Sequence, residues 1–323
     1  MLNFMKQLYA YFLLTTLFIG FTACKKTIGL DPLPQNKILE YKVSNLKDTV
    51  MYGSINQLNN TITVYLPVVY GLSLIDPEIK VSEGATLTEV PVPVDVYDQE
   101  KKYTVKGKDG STNTYTLKIK VMNPVKLDVS WPAFNLVNGE MIAYPNSDGN
   151  FIGNFNAFGQ GLLRIDLLHK KTGKLTVIND ALVTWVLASP TQSASLSFNP
   201  AIDTGVYQVK VKYYDQEMTM KEPLHIIHRQ PDLLMPSKSV KQGGTISFPA
   251  FNSIFLGLKS ARVKLNDAAT YDLSVLGFTA TEMTLKVPDN FPVGTYDYTA
   301  LFSFEFENWK SVSKLGSLTV AAK

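Results

Sequence analysis

A fold made almost entirely of β-strands, divided among three tandem sandwich domains, is what this sequence predicts. Tyr and Phe are plentiful, with 16 and 17 copies in 323 residues, and the signals for helices are poor. Short β-branched runs alternate with Gly, Pro, Asn and Asp, which is the pattern of strands joined by turns. The length allows two or three domains that each bury a core of their own. We therefore expect an all-β chain of several compact units.

The charge pattern excludes one class of partner. The net charge is +3, and only 18% of the residues are charged. Lysines and acidic residues are interspersed, so no basic face for nucleic acid can be argued. Cys24 is the single cysteine, which leaves no second thiol for a disulfide within the chain. We expect stability to come from burial alone, and we expect no nucleic acid to bind.

The N-terminal segment has the composition of a targeting signal. Lys6 is followed by apolar or small residues over positions 8–20, and Ala23 precedes Cys24. This pattern resembles a bacterial lipoprotein signal, in which the cysteine is diacylated and becomes the new N-terminus. The resemblance implies a signal peptide over residues 1–23, lipidation at Cys24, and a membrane as partner through that lipid. An ordinary secretory signal with an incidental cysteine is the alternative.

The mature chain is expected to lie outside the cytoplasm, tethered but soluble. After Cys24, no stretch is long and apolar enough to span a bilayer. Residues 24–36 contain Gly29, Pro32 and Pro34 without periodicity, which predicts a flexible lipidated tether. Such a tether would let the first domain stand off the membrane.

The first domain is predicted over residues 37–123. Ile62, Val64 and Leu66 alternate with Thr and Tyr side chains, as the two-residue period of a strand requires. These three apolar side chains should therefore share one buried face.

A hairpin is predicted to close this domain. Residues 102–107 and 113–121 alternate in polarity on either side of Asp109-Gly110, a dipeptide that readily takes the positive φ of tight turns. The runs concerned are Tyr103-Thr104-Val105, Asp109-Gly110-Ser111 and Tyr115-Thr116-Leu117, preceded by Ile75-Asp76-Pro77-Glu78-Ile79 and Glu83-Gly84-Ala85-Thr86. They resemble the immunoglobulin-like or cadherin-like N-terminal module of many outer-membrane lipoproteins of Gram-negative bacteria. The resemblance implies an immunoglobulin-like sandwich.

The rest of the chain contains a degenerate internal repeat. Two runs share one spacing: Leu196-Ser197-Phe198-Asn199-Pro200 before Gly205-Val206-Tyr207, and Leu285-Lys286-Val287-Pro288 before Gly294-Thr295-Tyr296. Upstream, Phe248-Pro249-Ala250-Phe251 is matched either by Phe155-Asn156-Ala157-Phe158 or, in a second register, by Trp131-Pro132-Ala133-Phe134. A period near ninety residues indicates duplicated domains. Prolines near the joints place the predicted domains at residues 124–230 and 231–323.

The last domain carries a further resemblance. Gly243-Gly244 precedes a β-run, and Val287-Pro288 is followed by Gly294-Thr295-Tyr296. This arrangement is similar to the IPT/TIG family of immunoglobulin-like domains. The resemblance implies the same sandwich for residues 231–323; residues 124–230 depart from it, with no clean Gly-Gly opening and an insertion near residues 143–154. The predicted fold class is thus three tandem immunoglobulin-like β-sandwich domains after a lipoprotein signal peptide.

The sequence contains no recognisable set of catalytic residues. A hydrolase needs an acid and a base, or a nucleophile with a base. His225 and His228 lie three apart on a predicted strand and so face opposite sides, while His169 falls in a basic hairpin tip where we expect it to be solvated. We therefore expect no enzyme activity and no cofactor.

One polar run has some likeness to a calcium loop. Residues 146–150 read Asn-Ser-Asp-Gly-Asn and offer oxygen ligands at alternate positions. Gly149 stands at the fourth place rather than the sixth, and no acidic residue closes the loop. We expect a polar turn without a metal.

Exposed aromatic side chains are the remaining candidates for recognition, because a rigid ring packs on the C–H face of a sugar. Trp309 falls in a polar hairpin tip, Tyr213 and Tyr214 fall in a second tip, and Tyr144 precedes the polar run. The other tryptophans are Trp185, expected in a core strand, and Trp131, left open between core and surface.

A lipid followed by tandem immunoglobulin-like modules resembles the accessory surface glycan-binding lipoproteins of polysaccharide-utilisation systems. The resemblance implies a non-catalytic protein that binds a glycan through its distal loops, beside an outer-membrane transporter complex. A structural or adhesive envelope protein, acting as a spacer or as a transporter-complex subunit, is the alternative. We expect the outer membrane, facing the cell surface; Lys25-Lys26, where acidic residues often follow the cysteine, leaves a periplasm-facing location open.

Overall fold

The computed structural model describes residues 35–123, 126–155, 157–185, 192–266 and 269–323. The predicted signal peptide, Cys24 and the tether up to residue 34 lie outside the described residues. Within those ranges the regular structure is β-strand, apart from two 3-10 turns, η1 (Val68–Tyr70) and η2 (Ala133–Asn135). No helix in the described part of the chain is long and apolar enough to cross a membrane.

In the first sandwich, β4 and β10 are parallel neighbours in one sheet, and their buried side chains lie on the same face. Leu117 lies opposite Ile62, and Ile119 lies opposite Val64. The sheets have the strand orders β2-β1-β6, β3-β4-β10-β9-β7 and β5-β8. The strands are β1 (Ile38–Val43), β2 (Met51–Tyr52), β3 (Ser54–Asn56), β4 (Thr61–Pro67), β5 (Leu74–Ile75), β6 (Pro77–Val81), β7 (Thr86–Leu87), β8 (Val94–Asp95), β9 (Lys102–Lys106) and β10 (Thr112–Met122).

The predicted closing hairpin is confirmed as β9 and β10. Gly110 has φ +84°, a backbone region that strains a side chain with a β-carbon. The Asp109 carboxylate accepts hydrogen bonds from the Ser111 hydroxyl at 2.6 Å and from the Ser111 N–H at 3.0 Å. These two bonds hold the pKa of Asp109 below its ordinary value. The turn is therefore fixed by a glycine and by a carboxylate cap.

The second sandwich packs a five-stranded sheet against a seven-stranded one. Their orders are β11-β14-β19-β18-β15 and β12-β13-β22-β20-β16-β17, with β21 paired to β20. The strands are β11 (Val129–Ser130), β12 (Leu136–Val137), β13 (Glu140–Ala143), β14 (Asp148–Gly153), β15 (Gly159–Gln160), β16 (Leu163–His169), β17 (Leu175–Ile178), β18 (Leu182–Trp185), β19 (Gln192–Ser197), β20 (Gly205–Tyr213), β21 (Gln216–Thr219) and β22 (Leu224–Ile226).

The third sandwich is one seven-stranded sheet that folds back on itself, in the order β23-β29-β28-β25-β26-β27-β24. The fold occurs in β26, which pairs with β25 through Leu273 and with β27 from Ser274 onward, with a register shift between Val275 and Gly277. The strands are β23 (Ser237–Lys241), β24 (Thr245–Pro249), β25 (Leu258–Leu265), β26 (Thr270–Phe278), β27 (Glu282–Lys286), β28 (Gly294–Phe306) and β29 (Val312–Ala321).

The predicted repeat corresponds to one structural feature in both later domains. Gly205 opens β20 and Gly294 opens β28. The hydroxyl of Tyr207 donates to the carbonyl of Asp203 at 2.6 Å, and that of Tyr296 donates to the carbonyl of Pro292 at 3.4 Å. Each tyrosine thus ties the start of its strand to the chain four residues upstream, as the tyrosine corner of immunoglobulin-like sandwiches does.

Strand pairing decides the register of the upstream repeat. Leu196 pairs with Gly149 and Leu285 pairs with Ile246. Phe151 lies two residues after Gly149, and Phe248 lies two residues after Ile246, so Phe151 is the structural equivalent of Phe248. Neither register predicted from the sequence is therefore right, because aromatic spacing alone does not reveal which strands are partners.

The buried side chains form two clusters. One runs continuously through the first two sandwiches, from Ile38 to Ile226, and the other fills the third, from Leu233 to Val320. The first two domains thus share apolar packing. The predicted boundaries near residues 123/124 and 230/231 stay predictions.

Candidate functional site

The exposure predicted for Tyr213 and Tyr214 is wrong. The hairpin of β20 and β21 is present, with Tyr213 paired to Gln216 across its tip. Tyr213 is fully buried and its hydroxyl donates to the carbonyl of Phe155, while Tyr214 is only 8% exposed. Tyr213 packs on Phe155 within its own domain, whereas Tyr214 packs against the first domain, and local sequence patterns reveal neither contact.

Tyr214 and Tyr97 form the centre of that interdomain contact. The N–H of Tyr214 donates to the hydroxyl oxygen of Tyr97 at 2.8 Å, and the Tyr214 hydroxyl donates to the carbonyl of Leu72 at 3.0 Å. The Tyr97 hydroxyl in turn donates to the carbonyl of Leu162 at 2.8 Å. The two rings stack with centroids 6.4 Å apart and an interplanar angle of 14°. Each tyrosine therefore carries hydrogen bonds into the other's domain.

Arg164 reinforces the same contact. Its guanidinium lies 4.3 Å from the centroid of the Tyr97 ring and binds the Asp95 carboxylate at 2.7 Å. Burial raises the pKa of Tyr97 to about 12, and it also raises the pKa of Tyr214. Tyr214 has φ +53°, which is uncommon for a residue other than Gly, Asn or Asp. A strained backbone of this kind persists only where the surroundings hold it.

Trp309 is half-buried at the tip between β28 and β29. Its ring packs against the core of the third domain, and its backbone N–H donates to the carbonyl of Phe306 at 3.4 Å. The tip does not point away from the rest of the protein. The side-chain amide of Gln230, in the segment between the second and third domains, donates to the carbonyl of Lys310 at 2.7 Å.

Tyr144 lies at the same joint. Its ring is half-buried, and the Arg229 guanidinium lies 4.8 Å from the ring centroid. The Asn146 side chain donates to the carbonyl of Ser253 at 2.8 Å, which links the second domain directly to the third. The contacts of Arg229 and of its neighbour Gln230 thus bring Tyr144 and Trp309 to one joint. The hairpin tip that carries Trp309 therefore lies beside the segment that joins the second and third domains.

The polar run at residues 146–150 is part of the fold. Asn146 has φ +60° and spends its side-chain amide on Ser253, while Asp148 opens β14 and accepts a hydrogen bond from Ser197 at 2.6 Å. Among the described residues, no group of three or more His, Cys, Asp or Glu side chains could hold a metal ion.

The solvation predicted for His169 is wrong. The ring is 5% exposed, and its Nδ1 accepts the N–H groups of Lys171 and Thr172 at 3.2 and 3.1 Å. Nε2 lies 3.1 Å from the carbonyl of Thr204, so it is the protonated nitrogen. The buried ring therefore serves as the internal cap of the β16–β17 turn.

The other two histidines do not share a site. His225 lies in β22 and contacts the Glu140 carboxylate at 2.9 Å through Nδ1. His228 is exposed beyond the end of that strand. The prediction that both belong to one strand holds only for His225.

Of the other two tryptophans, Trp131 belongs to the core of the second domain. Trp131 is buried, and its indole N–H donates to the carbonyl of Glu222 at 3.0 Å. Its ring meets Phe151 edge-on at 6.0 Å. Trp185 ends β18, and its side chain lies outside the described residues.

One cleft was missed entirely by sequence reasoning. It lies where the first two domains meet and has a volume of about 360 Å³. Its lining residues come from five separate places in the chain, so no local motif could have signalled it. They include Ser73 and Asp95 of the first domain, and Gln160, Arg164, Asn179 and Asp180 of the second.

The protein consists of three tandem immunoglobulin-like sandwiches. The sheet topology and the tyrosine corners of the second and third domains define this class. Residues 38–119 match the model of the family described as SGBP, N-terminal. The first domain is therefore of the SGBP N-terminal type, and the resemblance to accessory proteins of this type is confirmed there. No curated protein sequence matches the chain.

Solved structures give weaker likenesses. The SGBP-B of the mixed-linkage glucan utilization locus of Bacteroides ovatus, in complex with a heptasaccharide, has 11% identity and a TM-score of 0.28, over 87% of this chain and 70% of that one. The titin pair A168–A169 has 11% identity and a TM-score of 0.27, over 56% and 94%. An endo-fucoidan hydrolase of glycoside hydrolase family 107 has 13% identity and a TM-score of 0.25, over 76% and 38%.

Proposed function

We propose that this chain is a non-catalytic cell-envelope lipoprotein that binds carbohydrate as an accessory of a glycan-uptake system. The observation that carries the proposal is the match of residues 38–119 to the SGBP N-terminal family. Tandem immunoglobulin-like domains suit this role, since they present loops and joints to a ligand on a rigid scaffold. The partners would be a glycan and an outer-membrane transporter complex.

The anchoring half of the proposal rests on sequence. The protein would be acylated at Cys24 in the outer membrane, with residues 24–36 as its tether and the domains following at residues 37–123, 124–230 and 231–323. Surface exposure fits a protein that captures a polymer too large to enter the cell.

The joint between the second and third domains is the proposed contact surface. Trp309 and Tyr144 both keep part of their rings in solvent there, and Arg229 is exposed beside the Tyr144 ring. A flat aromatic surface supports the apolar face of a sugar, and a guanidinium offers several donors to its hydroxyl groups. Ligand sites also occur preferentially where domains meet.

A glycan array and affinity gels with residues 25–323 test the proposal. Trp309→Ala and Tyr144→Ala should each weaken binding by roughly tenfold or more, as truncation of an aromatic anchor does. The matched control is Tyr52→Ala, since Tyr52 is 61% exposed on the first domain. Binding to no glycan at all would overturn the function, and equal affinity for all three variants would overturn the surface.

Trp309→Ala should also lower the stability of the third domain. Because the ring packs against the core, we expect a loss of about 1–2 kcal/mol, less than for a fully buried tryptophan. Binding must therefore be measured well below the melting temperature of the variant.

One observation favours a second role, that of a structural spacer. The first two domains share a continuous apolar core and the Tyr97–Tyr214 contact. A stiff stalk of this kind would hold a binding domain, or a transporter-complex partner, at a fixed distance from the lipid.

A further inference from the structure

The cleft between the first and second domains, lined by Ser73, Asp95, Gln160, Arg164, Asn179 and Asp180, has the features of a preformed ligand site. Its volume of about 360 Å³ falls in the usual range for small-ligand sites, roughly 300–1,000 Å³. Both domains contribute, so the cleft exists only while the two keep their relative position.

The Tyr97–Tyr214 contact fixes that position. Three hydrogen bonds, a ring stack and the Arg164–Asp95 ion pair cross or brace the joint beside the cleft. The backbones also approach closely: a β-carbon on Gly161, at φ +76°, would lie 3.2 Å from the β-carbon of Ser73. A ligand binding here would therefore not have to order the joint, which lowers the cost of binding.

The polar groups of the cleft are available to a ligand. The side chains of Gln160, Asn179 and Asp180 line the cleft and are exposed. The amide groups can donate to and accept from vicinal hydroxyls, and the carboxylate can accept from them. The side chains of Asp95 and Arg164 are partly exposed in the same cleft, and their orientation is fixed by their own ion pair.

Apolar surface lines the cleft beside the polar groups. It comes from Leu74, which is 47% exposed and follows Ser73 in the chain. The segments that lead into the cleft touch each other, since a β-carbon on Gly71 would lie 2.9 Å from the carbonyl oxygen of Phe158. An apolar side chain next to hydroxyl-binding groups suits a pyranose, which has both C–H faces and hydroxyl groups.

The charges select the ligand class. Two carboxylates, Asp95 and Asp180, face one guanidinium, that of Arg164, so the cleft carries a net negative charge. An anionic sugar would be repelled. We propose that this cleft is a second carbohydrate subsite, specific for neutral oligosaccharides, an inference that rests on the proposed function but uses a different surface.

The test is calorimetric titration of residues 25–323 with neutral gluco-, xylo- and manno-oligosaccharides, with oligogalacturonate as the acidic probe. We expect the double variant Asn179→Ala/Asp180→Ala to lose one site or to bind roughly tenfold more weakly, as loss of hydrogen bonds to a charged group implies. Asp297→Ala is the matched control, since Asp297 is an exposed aspartate on the third domain.

The outcomes separate the two proposals. Binding that remains in a Trp309→Ala/Tyr144→Ala variant, and is lost when the cleft variant is added, supports the cleft. A single site that responds only to Trp309 and Tyr144 overturns the cleft and leaves the proposed function standing. Preference for oligogalacturonate overturns the assignment to neutral sugars, and binding of no saccharide by any form overturns both proposals.

Discussion

Tyr97 of the first domain and Tyr214 of the second are stacked and joined by a 2.8 Å hydrogen bond, although 117 residues separate them in the chain. Each hydroxyl also donates to a carbonyl across the joint, at Leu162 and Leu72. This arrangement makes the first two domains one packed unit. The contacts described between the second and third domains are hydrogen bonds, from Asn146 to Ser253 and from Gln230 to Lys310.

Tyr214→Ala should therefore destabilise the first two domains together. The change removes a buried ring and the hydrogen bond from its hydroxyl to the carbonyl of Leu72, and we expect a loss of about 3 kcal/mol. Differential scanning calorimetry measures the effect, with Tyr52→Ala as the exposed control. Small-angle scattering should show a longer average particle for the variant. An unchanged thermogram would contradict a stabilising contact between the first two domains.

Stability should fall as the pH rises from about 10 to about 12. Burial raises the pKa of Tyr97 to about 12, whereas a tyrosine in the unfolded chain loses its proton near pH 10. In that window the unfolded state binds fewer protons than the folded state, so the free energy of unfolding decreases with pH. Denaturant titrations at several pH values should show this slope, and Tyr97→Phe should reduce it. An equal slope in the variant would argue against a protonated Tyr97 in the joint.

Gly110→Val should destabilise the first domain by about 1 kcal/mol or more, because a β-branched residue is strained at φ +84°. Space is not the cause, since no atom lies within 4 Å of a β-carbon placed there. Gly277→Val is the matched control, as Gly277 has equally open surroundings without a positive φ. Melting temperatures of the two variants decide the matter, and equal losses would exclude backbone strain.

His169→Leu should lower the free energy of unfolding by about 2–3 kcal/mol. The substitution leaves the N–H groups of Lys171 and Thr172 without their acceptor, the buried His169 ring. Lys170→Ala, an exposed change in the same turn, should stay within about 0.5 kcal/mol. Chemical denaturation compares the two. A neutral His169→Leu would mean that water replaces the ring as acceptor.

Cys24→Ser should leave the protein unacylated and uncleaved by the lipoprotein peptidase. The motivation is the position of Cys24 directly after Ala23, at the end of an apolar segment. Intact-mass spectrometry of the membrane fraction gives the readout. A mature N-terminus at another residue, without lipid, would contradict the predicted anchor.

Local features were predictable because they depend on neighbours in the chain. The alternation of Ile62, Val64 and Leu66 follows from the two-residue period of a strand, and all three are buried. The turn at Gly110 follows from its freedom at positive φ. The two Gly-x-Tyr runs recur because each tyrosine bonds a carbonyl only four residues away.

The candidate site was only partly predictable. Tyr144 and Trp309 were identified as aromatics near polar runs, but their meeting at one joint depends on Arg229 and Gln230, which carry no motif. The cleft between the first and second domains has no sequence motif that would predict it. Its residues are ordinary polar ones until two domains bring them together.

The sequence by itself determined the strands, the turns and the repeat, since periodicity and backbone preference act over a few residues. Tertiary structure decided which aromatic and polar side chains meet solvent. Tyr213, Tyr214 and His169 look exposed at hairpin tips, yet all three are buried. Tyr213 is covered by Phe155, 58 residues away in its own domain, and Tyr214 by Tyr97 of the first domain. His169 is covered by the segment at Thr204, 35 residues further along the chain. Burial depends on such distant partners, which meet only when the chain folds and the domains pack.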